Sequence, residues 1–158
     1  MRNIRKSTFE TNSSSCHSIV FSDDTTFAIH ALDHLIDSDD DSIHITLGEF
    51  GCDSNMLTAP EEKLSYLVTL IGNSNGIYAD YERDKEQSAI DIMDTDDFGC
   101  LDDSIYTWIG HHVVIDPSEG YVDHQSVQSI YDLLNYASCS SIFDFVFNNQ
   151  YMIKIYHD

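Results

Sequence analysis

Acidic side chains dominate this chain, which holds 28 Asp and Glu against 7 Lys and Arg and has a formal net charge of −21. Arg2, Arg5 and Lys6 lie at its very start, so four basic residues remain after position 6. Because like charges repel in a compact state, any fold must leave most carboxylates in water. The same field repels nucleic acid and anionic membranes and attracts basic protein surfaces. Solubility, or a halophilic source, is the alternative explanation.

The remaining composition predicts a folded domain. Of 158 residues, 42% are hydrophobic, nine are Tyr and eight are Phe, which is enough to build one core over residues 1–158. No stretch approaches the roughly 20 apolar residues of a membrane span, and the basic start is not followed by the apolar run of a secretory signal. We therefore expect a single cytosolic domain.

The four cysteines are too widely spaced to predict a zinc site or a disulfide framework. They are Cys16, Cys52, Cys100 and Cys139. We expect reduced thiols, mostly packed as small core side chains.

Hydrophobic periodicity predicts strands and helices in mixed order. The predicted strands cover residues 17–21, 43–47, 105–109, 111–115 and 151–156. The predicted helices cover residues 26–36 and 58–72, a third helix capped by Asp123, and a short fourth helix capped by Ser138 or Ser140. Residues 77–93 fit neither pattern. Without regular βαβ units, this order predicts an α+β fold, in which three to four helices pack on a mostly antiparallel sheet. We expect strands 17–21 and 151–156 to share that sheet.

The segment FETNSSSCHS at residues 9–18 is the most unusual local sequence. It resembles the opening of an uncharacterised family of small phage and Gram-positive bacterial proteins. WIGHH at 108–112, GYVDHQS at 120–126 and FVFN at 145–148 are also similar to that family. The resemblance implies a phage or prophage origin, a bacterial cytosol and a shared fold, but no reaction. The acidity resembles that of phage inhibitors that mimic DNA, in charge only.

The same segment offers serine hydroxyls beside a histidine, the pairing that an activated nucleophile needs. The candidate catalytic set is Ser13, Ser14, Ser15 and His17, completed by Asp123 and His124 if the two parts of the chain meet. The alternative is structural, because Ser, Thr and Asn side chains also satisfy backbone groups in turns.

We predict no metal site and no cofactor. His30 and His34 stand four apart, but the glutamate of the metalloprotease motif is absent. The acidic run at 94–99 has Phe98 in the fifth ligand place of an EF-hand, and the run at 37–42 lacks its glycine. His111 and His112 would point to opposite faces of a strand. Weak cation binding by clustered carboxylates stays open.

Alternating acids mark the middle of the chain, at Asp80, Glu82, Asp84 and Glu86. On an extended strand they would share one face at intervals of about 6.8 Å, against one phosphate per ~3.4 Å along a DNA strand. Candidates for a second acidic row are Asp91, Asp94, Asp96, Asp97, Asp102 and Asp103. Candidate aromatic anchors are Tyr78, Tyr81 and Tyr106. The alternative is a solvated face that merely keeps the protein soluble.

These features favour a binding protein that occupies the basic groove of a host nucleic-acid-binding or defence protein and so inhibits it. Its partner would be that basic protein, with no direct contact to nucleic acid or membrane, and a homodimer stays open. The alternative is a small hydrolase or transferase built on the Ser/His cluster. A structural component of a phage particle is a third hypothesis.

Overall fold

The structure, a computed structural model, describes residues 4–10, 15–51, 55–79, 84–122 and 129–157. Within these ranges the strands are β1 (Ile4–Glu10), β2 (Ser15–Phe21), β3 (Ile43–Thr46), β4 (Glu49–Phe50), β5 (Asn55–Leu57), β6 (Val113–Asp116), β7 (Tyr121–Val122) and β8 (Tyr151–His157). The α-helices are α1 (Pro60–Ser74), α2 (Lys85–Met93), α3 (Asp96–Ile109), α4 (Ile130–Ala137) and α5 (Ile142–Phe147).

The two ends of the chain build the main sheet, which has the strand order β1-β2-β8-β5 and is antiparallel throughout. His17 pairs with Ile155 and Ile19 with Ile153, so the predicted N- and C-terminal strands do share one sheet. Two short parallel pairs, β3–β6 and β4–β7, complete the described strands. The predicted α+β class is confirmed, with five helices where the sequence indicated three to four.

Helix α1 lies at the centre of the packing and contacts all the other described helices as well as β3 and β7. An apolar stripe along this helix is fully buried and consists of Leu64, Leu67, Val68 and Ile71. Gly72 does not end this helix, as its position suggested, because α1 continues to Ser74. A Cβ at Gly72 would lie 2.8 Å from the Ile92 side chain. The glycine therefore serves the close approach of α2 to α1.

A buried lysine joins α1 to the C-terminal part of the chain. Lys63 has no exposed surface, and its Nζ donates to the carbonyls of Phe145 at 2.9 Å, Asn148 at 3.2 Å and Tyr151 at 3.1 Å. Burial lowers the pKa of the Lys63 ammonium to about 8, while the nearby Cys139 and Asp144 act in the opposite direction. The side chain therefore still carries its charge at pH 7, and its three protons have three acceptors.

The prediction of an α-helix over residues 26–36 is wrong. The segment consists of turns with a short 3₁₀ helix at Asp33–Leu35. Its backbone bonds to the connection between α5 and β8, because the Ala28 N–H donates to the Phe147 carbonyl at 2.8 Å and the Thr26 carbonyl accepts from Asn149 at 2.9 Å. These long-range partners replace the i to i+4 bonds that a helix would need.

The prediction of a strand at 105–109 is also wrong, because these residues form the last turns of α3. Phe98, Leu101 and Ile105 are its buried face, and Gly110 ends the helix in the left-handed conformation with φ of 85°. The ambiguous segment 77–93 contains α2.

The structure also differs from the predictions at two helix caps and at Cys100. Ser129 caps α4 in place of Asp123. Ser141 caps α5 in place of Ser138 or Ser140. Cys100 is exposed rather than packed in the core, whereas Cys139 is half-buried.

None of the helices in the described ranges has the length and apolar character needed to cross a membrane.

Replacing Lys63 with Met should lower the free energy of unfolding by about 3 kcal/mol, because three carbonyls each lose the hydrogen bond from the ammonium while the side-chain volume is nearly kept. Urea unfolding measures the change. The matched control is Lys85→Met, which breaks an ion pair with Glu119 on the surface and should cost at most about 1 kcal/mol. Equal losses in the two variants would contradict the role of Lys63.

Candidate functional site

The acidic middle of the chain folds into two consecutive helices that each bury one side. In α2 the buried residues are Ser88, Ala89 and Ile92. The Asp84 carboxylate caps this helix and accepts from the N–H groups of Glu86 at 3.0 Å and Gln87 at 3.2 Å. With 3.6 residues per turn, the other side of α2 faces water.

Helix α3 repeats this arrangement. The Thr95 hydroxyl caps it by accepting from the Phe98 N–H at 3.2 Å. Asp96 and Asp97 occupy its first turn, where the positive end of the helix dipole favours negative charge. Asp96 and Asp103 lie seven residues apart, so they share one face about 10.5 Å apart along the axis.

Most of the predicted partner-binding carboxylates are exposed on these two helices or at their ends. The exposed ones are Asp84, Glu86, Asp91, Asp94, Asp96 and Asp103, which we call the α2–α3 acidic face. Asp97 is half-exposed at its edge. Among the described residues, no Lys or Arg forms an ion pair with any of these seven carboxylates, since Lys85 pairs with Glu119. No Lys or Arg side chain that the structure describes therefore neutralises their charge.

Asp102 does not belong to this face, contrary to the prediction. Its side chain is only 19% exposed. One carboxylate oxygen accepts from the Val113 N–H at 2.7 Å, and the other lies 2.8 Å from the His112 Nδ1. Asp102 thus joins α3 to the start of β6 and has a structural role.

The predicted single row of alternating acids is also wrong where it can be followed. Asp84 is a cap and Glu86 lies in the first turn of α2, so the two do not continue an extended strand. Asp80, Tyr81 and Glu82 lie outside the described residues. Of the other two candidate anchors, Tyr78 is 48% exposed and Tyr106 is 46% exposed. The Tyr106 ring stacks on His112 with centroids 4.2 Å apart.

The structure describes only two residues of the candidate Ser/His cluster, which are Ser15 and His17. His17 lies in β2 with no exposed surface, and its Nδ1 is 2.9 Å from the Tyr66 hydroxyl. Complete burial raises the pKa of that phenol well above its usual range. Ser15 is the first residue of β2, whereas Ser13, Ser14, Asp123 and His124 lie outside the described residues. In this arrangement the His17 Nδ1 faces the Tyr66 hydroxyl inside the protein and not the solvent.

The structure contains a further cluster of histidines and carboxylates that the sequence does not predict. His44 Nδ1 lies 2.7 Å from an Asp116 oxygen, and its Nε2 lies 2.9 Å from an Asp40 oxygen. His44 and Asp116 line an open pocket of about 400 Å³ together with His34 and Glu61, which are 3.0 Å apart. The hydrogen bonds to Asp116 and then Asp40 raise the pKa of His44. The spacing of four between Asp40 and His44 was visible, but the contact with Asp116 depends on the pairing of β3 with β6.

The other histidines whose side chains the structure describes lie in separate places. His30 contacts Asp33 and His34 contacts Glu61, both in exposed positions. His111 lies 3.0 Å from the Asp41 carbonyl oxygen, away from the partner of His112. In the part of the chain that the structure describes, no group of three or more His, Cys, Asp or Glu side chains is placed to hold a metal ion.

The histidine cluster should make stability depend on pH. Since folding raises the pKa of His44, its contribution to stability is complete below the unfolded value of about 6.5 and is lost as pH rises through the folded value. The stability difference between the wild type and His44→Asn should therefore shrink from pH 6 towards pH 9.

In an NMR titration, Asp116→Asn should lower the pKa of His44 more than Asp40→Asn does. An unchanged pKa in both variants would contradict the assignment.

Comparison of the chain with family models, with curated proteins and with solved structures found no match.

Proposed function

We propose that this protein binds a basic partner protein through the α2–α3 acidic face and acts by occupying that partner's nucleic-acid-binding surface. The observation that carries the proposal is the set of exposed carboxylates on two consecutive helices, to which no Lys or Arg of the described residues is paired. Uncompensated charge destabilises a fold by self-repulsion. A basic partner would relieve that repulsion on binding, which gives the arrangement a use beyond solubility.

The nucleic-acid-binding surface of the partner follows from the sign and amount of charge. A groove that binds DNA is lined with Lys and Arg, and it loses counterions when phosphates enter it. Carboxylates on two neighbouring helices can occupy the same groove for the same electrostatic reason. The likeness of residues 9–18 to phage and Gram-positive proteins makes a host nucleic-acid-binding or defence protein the partner class that we propose.

The hydrolase or transferase alternative has less support. It needs His17 as an accessible base, but His17 is buried against Tyr66. The carboxylates of the α2–α3 acidic face, in contrast, are exposed to solvent. Binding without turnover is therefore the function that the geometry favours.

Charge steering predicts the salt dependence of association. With a partner captured from bacterial lysate, the association rate should fall about tenfold or more as salt rises well past 0.15 M, where the screening length is about 8 Å. Surface plasmon resonance at two salt concentrations measures this rate. A rate that does not change with salt would exclude electrostatic steering.

A matched pair of variants separates the acidic face from net charge. The face variant combines Glu86→Gln, Asp91→Asn, Asp94→Asn and Asp103→Asn. The control variant combines Asp37→Asn, Asp39→Asn, Asp41→Asn and Glu49→Gln, which removes the same number of charges from other exposed positions. The face variant should lose at least tenfold more affinity than the control. Equal losses would show that overall charge, and not this face, drives binding. Retained binding by the face variant, with loss of function in Ser14→Ala, would favour the enzyme alternative.

A further inference from the structure

Three aromatic rings from separate segments form a continuous stack at the surface. Phe143 of α5 lies in the middle. The Phe27 ring stacks on it with centroids 5.8 Å apart and an interplanar angle of 13°. The Trp108 ring of α3 stacks on it with centroids 5.0 Å apart and an angle of 23°. We call these three residues the aromatic stack.

The stack is both exposed and held in place. Trp108 is 68% exposed and Phe27 is 47% exposed, although each ring has Phe143 beside it. The Phe143 N–H donates to the Ser104 hydroxyl of α3 at 3.3 Å, and the Phe143 ring packs on Phe147 at 4.9 Å. Exposed apolar side chains that lie together mark an interaction site more often than a single exposed apolar side chain does. Rings that are already positioned lose little entropy on binding.

The segments that supply the rings of the stack are acidic, which favours a cationic ligand. The three segments that supply its rings are residues 22–33, α3 and α5, and none of them contains Lys or Arg. They contain eight aspartates, which are Asp23, Asp24, Asp33, Asp96, Asp97, Asp102, Asp103 and Asp144. Asp96 and Asp103 also belong to the α2–α3 acidic face, so the stack and that face share helix α3. An anionic ligand would be repelled here.

We propose that the aromatic stack receives an arginine-bearing segment of the basic partner, with a guanidinium lying over Trp108. Arginine fits better than lysine because its guanidinium is planar, weakly hydrated and able to stack on an aromatic face. The aspartates of the three segments add electrostatic attraction for its charge. The inference rests on the proposed function and adds to it the residue type that the partner presents. It adds Trp108 as an aromatic anchor to the predicted candidates Tyr78 and Tyr106.

The test uses two synthetic peptides of equal charge, nona-arginine and nona-lysine, with the full-length protein. Trp108 is the single tryptophan of the chain, so its fluorescence reports directly on the stack. Nona-arginine should change the emission of Trp108 in a saturable way, and nona-lysine at the same fractional saturation should change it little. Nona-arginine should also bind about two- to fivefold more tightly, which is the range expected for an exposed cation–π contact.

A pair of variants isolates the tryptophan, with affinities measured by the anisotropy of labelled peptides. Trp108→Ala should remove the preference for nona-arginine and leave the affinity for nona-lysine unchanged. The control is Ile90→Ala, which removes an apolar side chain of 47% exposure from α2 and should leave both affinities unchanged. Higher salt should weaken both peptides, while their ratio in the wild type persists, because stacking is screened less than charge attraction.

The outcomes separate this inference from the proposed function. If both peptides bind equally and Trp108→Ala changes neither, the acidic face still binds cations and only the arginine site is wrong. If neither peptide binds, the proposed function fails and the arginine site fails with it. A preference for arginine that survives Trp108→Ala would place the guanidinium elsewhere and would also overturn the inference.

Discussion

The buried ammonium of Lys63 is the contact on which the rest of the packing depends. Helix α5 has six residues, so its last carbonyls have no donors within the helix. Lys63 supplies a donor for the Phe145 carbonyl from α1, the helix that contacts every other described α-helix, while the Ala28 N–H bonds the Phe147 carbonyl. Lys63 also reaches the first carbonyl of β8. The central strand of the sheet, the short helix before it and the central helix of the core are thereby held by one side chain.

Committing a lysine to the core leaves the surface with few cations. Among the described residues, the ion pair of Lys85 with Glu119 joins a lysine to a carboxylate, and the other ion pairs use histidine. Those histidine pairs lie at Asp33, Glu61, Asp40, Asp116, Asp41 and Asp102, away from the α2–α3 acidic face. The described part of that face is therefore open to a partner, and Trp108 of the aromatic stack lies on α3, the helix that also carries Asp96 and Asp103.

The sequence predicts the parts of this structure that depend on local signals. Helix α1 has a regular apolar stripe, and the terminal strands are short apolar runs rich in β-branched and aromatic residues. The predicted strand at residues 105–109 is wrong because a helical signal extends over a longer segment. Phe98, Leu101 and Ile105 have helical spacing, and they lie between a cap at Thr95 and a stop at Gly110. The roles of Asp102, His44 and the aromatic stack could not be predicted, because each arises where distant segments meet.

The central claim is that this protein and nucleic acid compete for the same surface of a basic partner. The most direct test captures that partner from bacterial lysate and measures its affinity for a fluorescent DNA duplex at increasing concentrations of this protein. The account predicts competitive displacement of the duplex, with the variant neutralised at Glu86, Asp91, Asp94 and Asp103 displacing it much less. A ternary complex, in which the partner holds the duplex and this protein together with unchanged affinities, would contradict it.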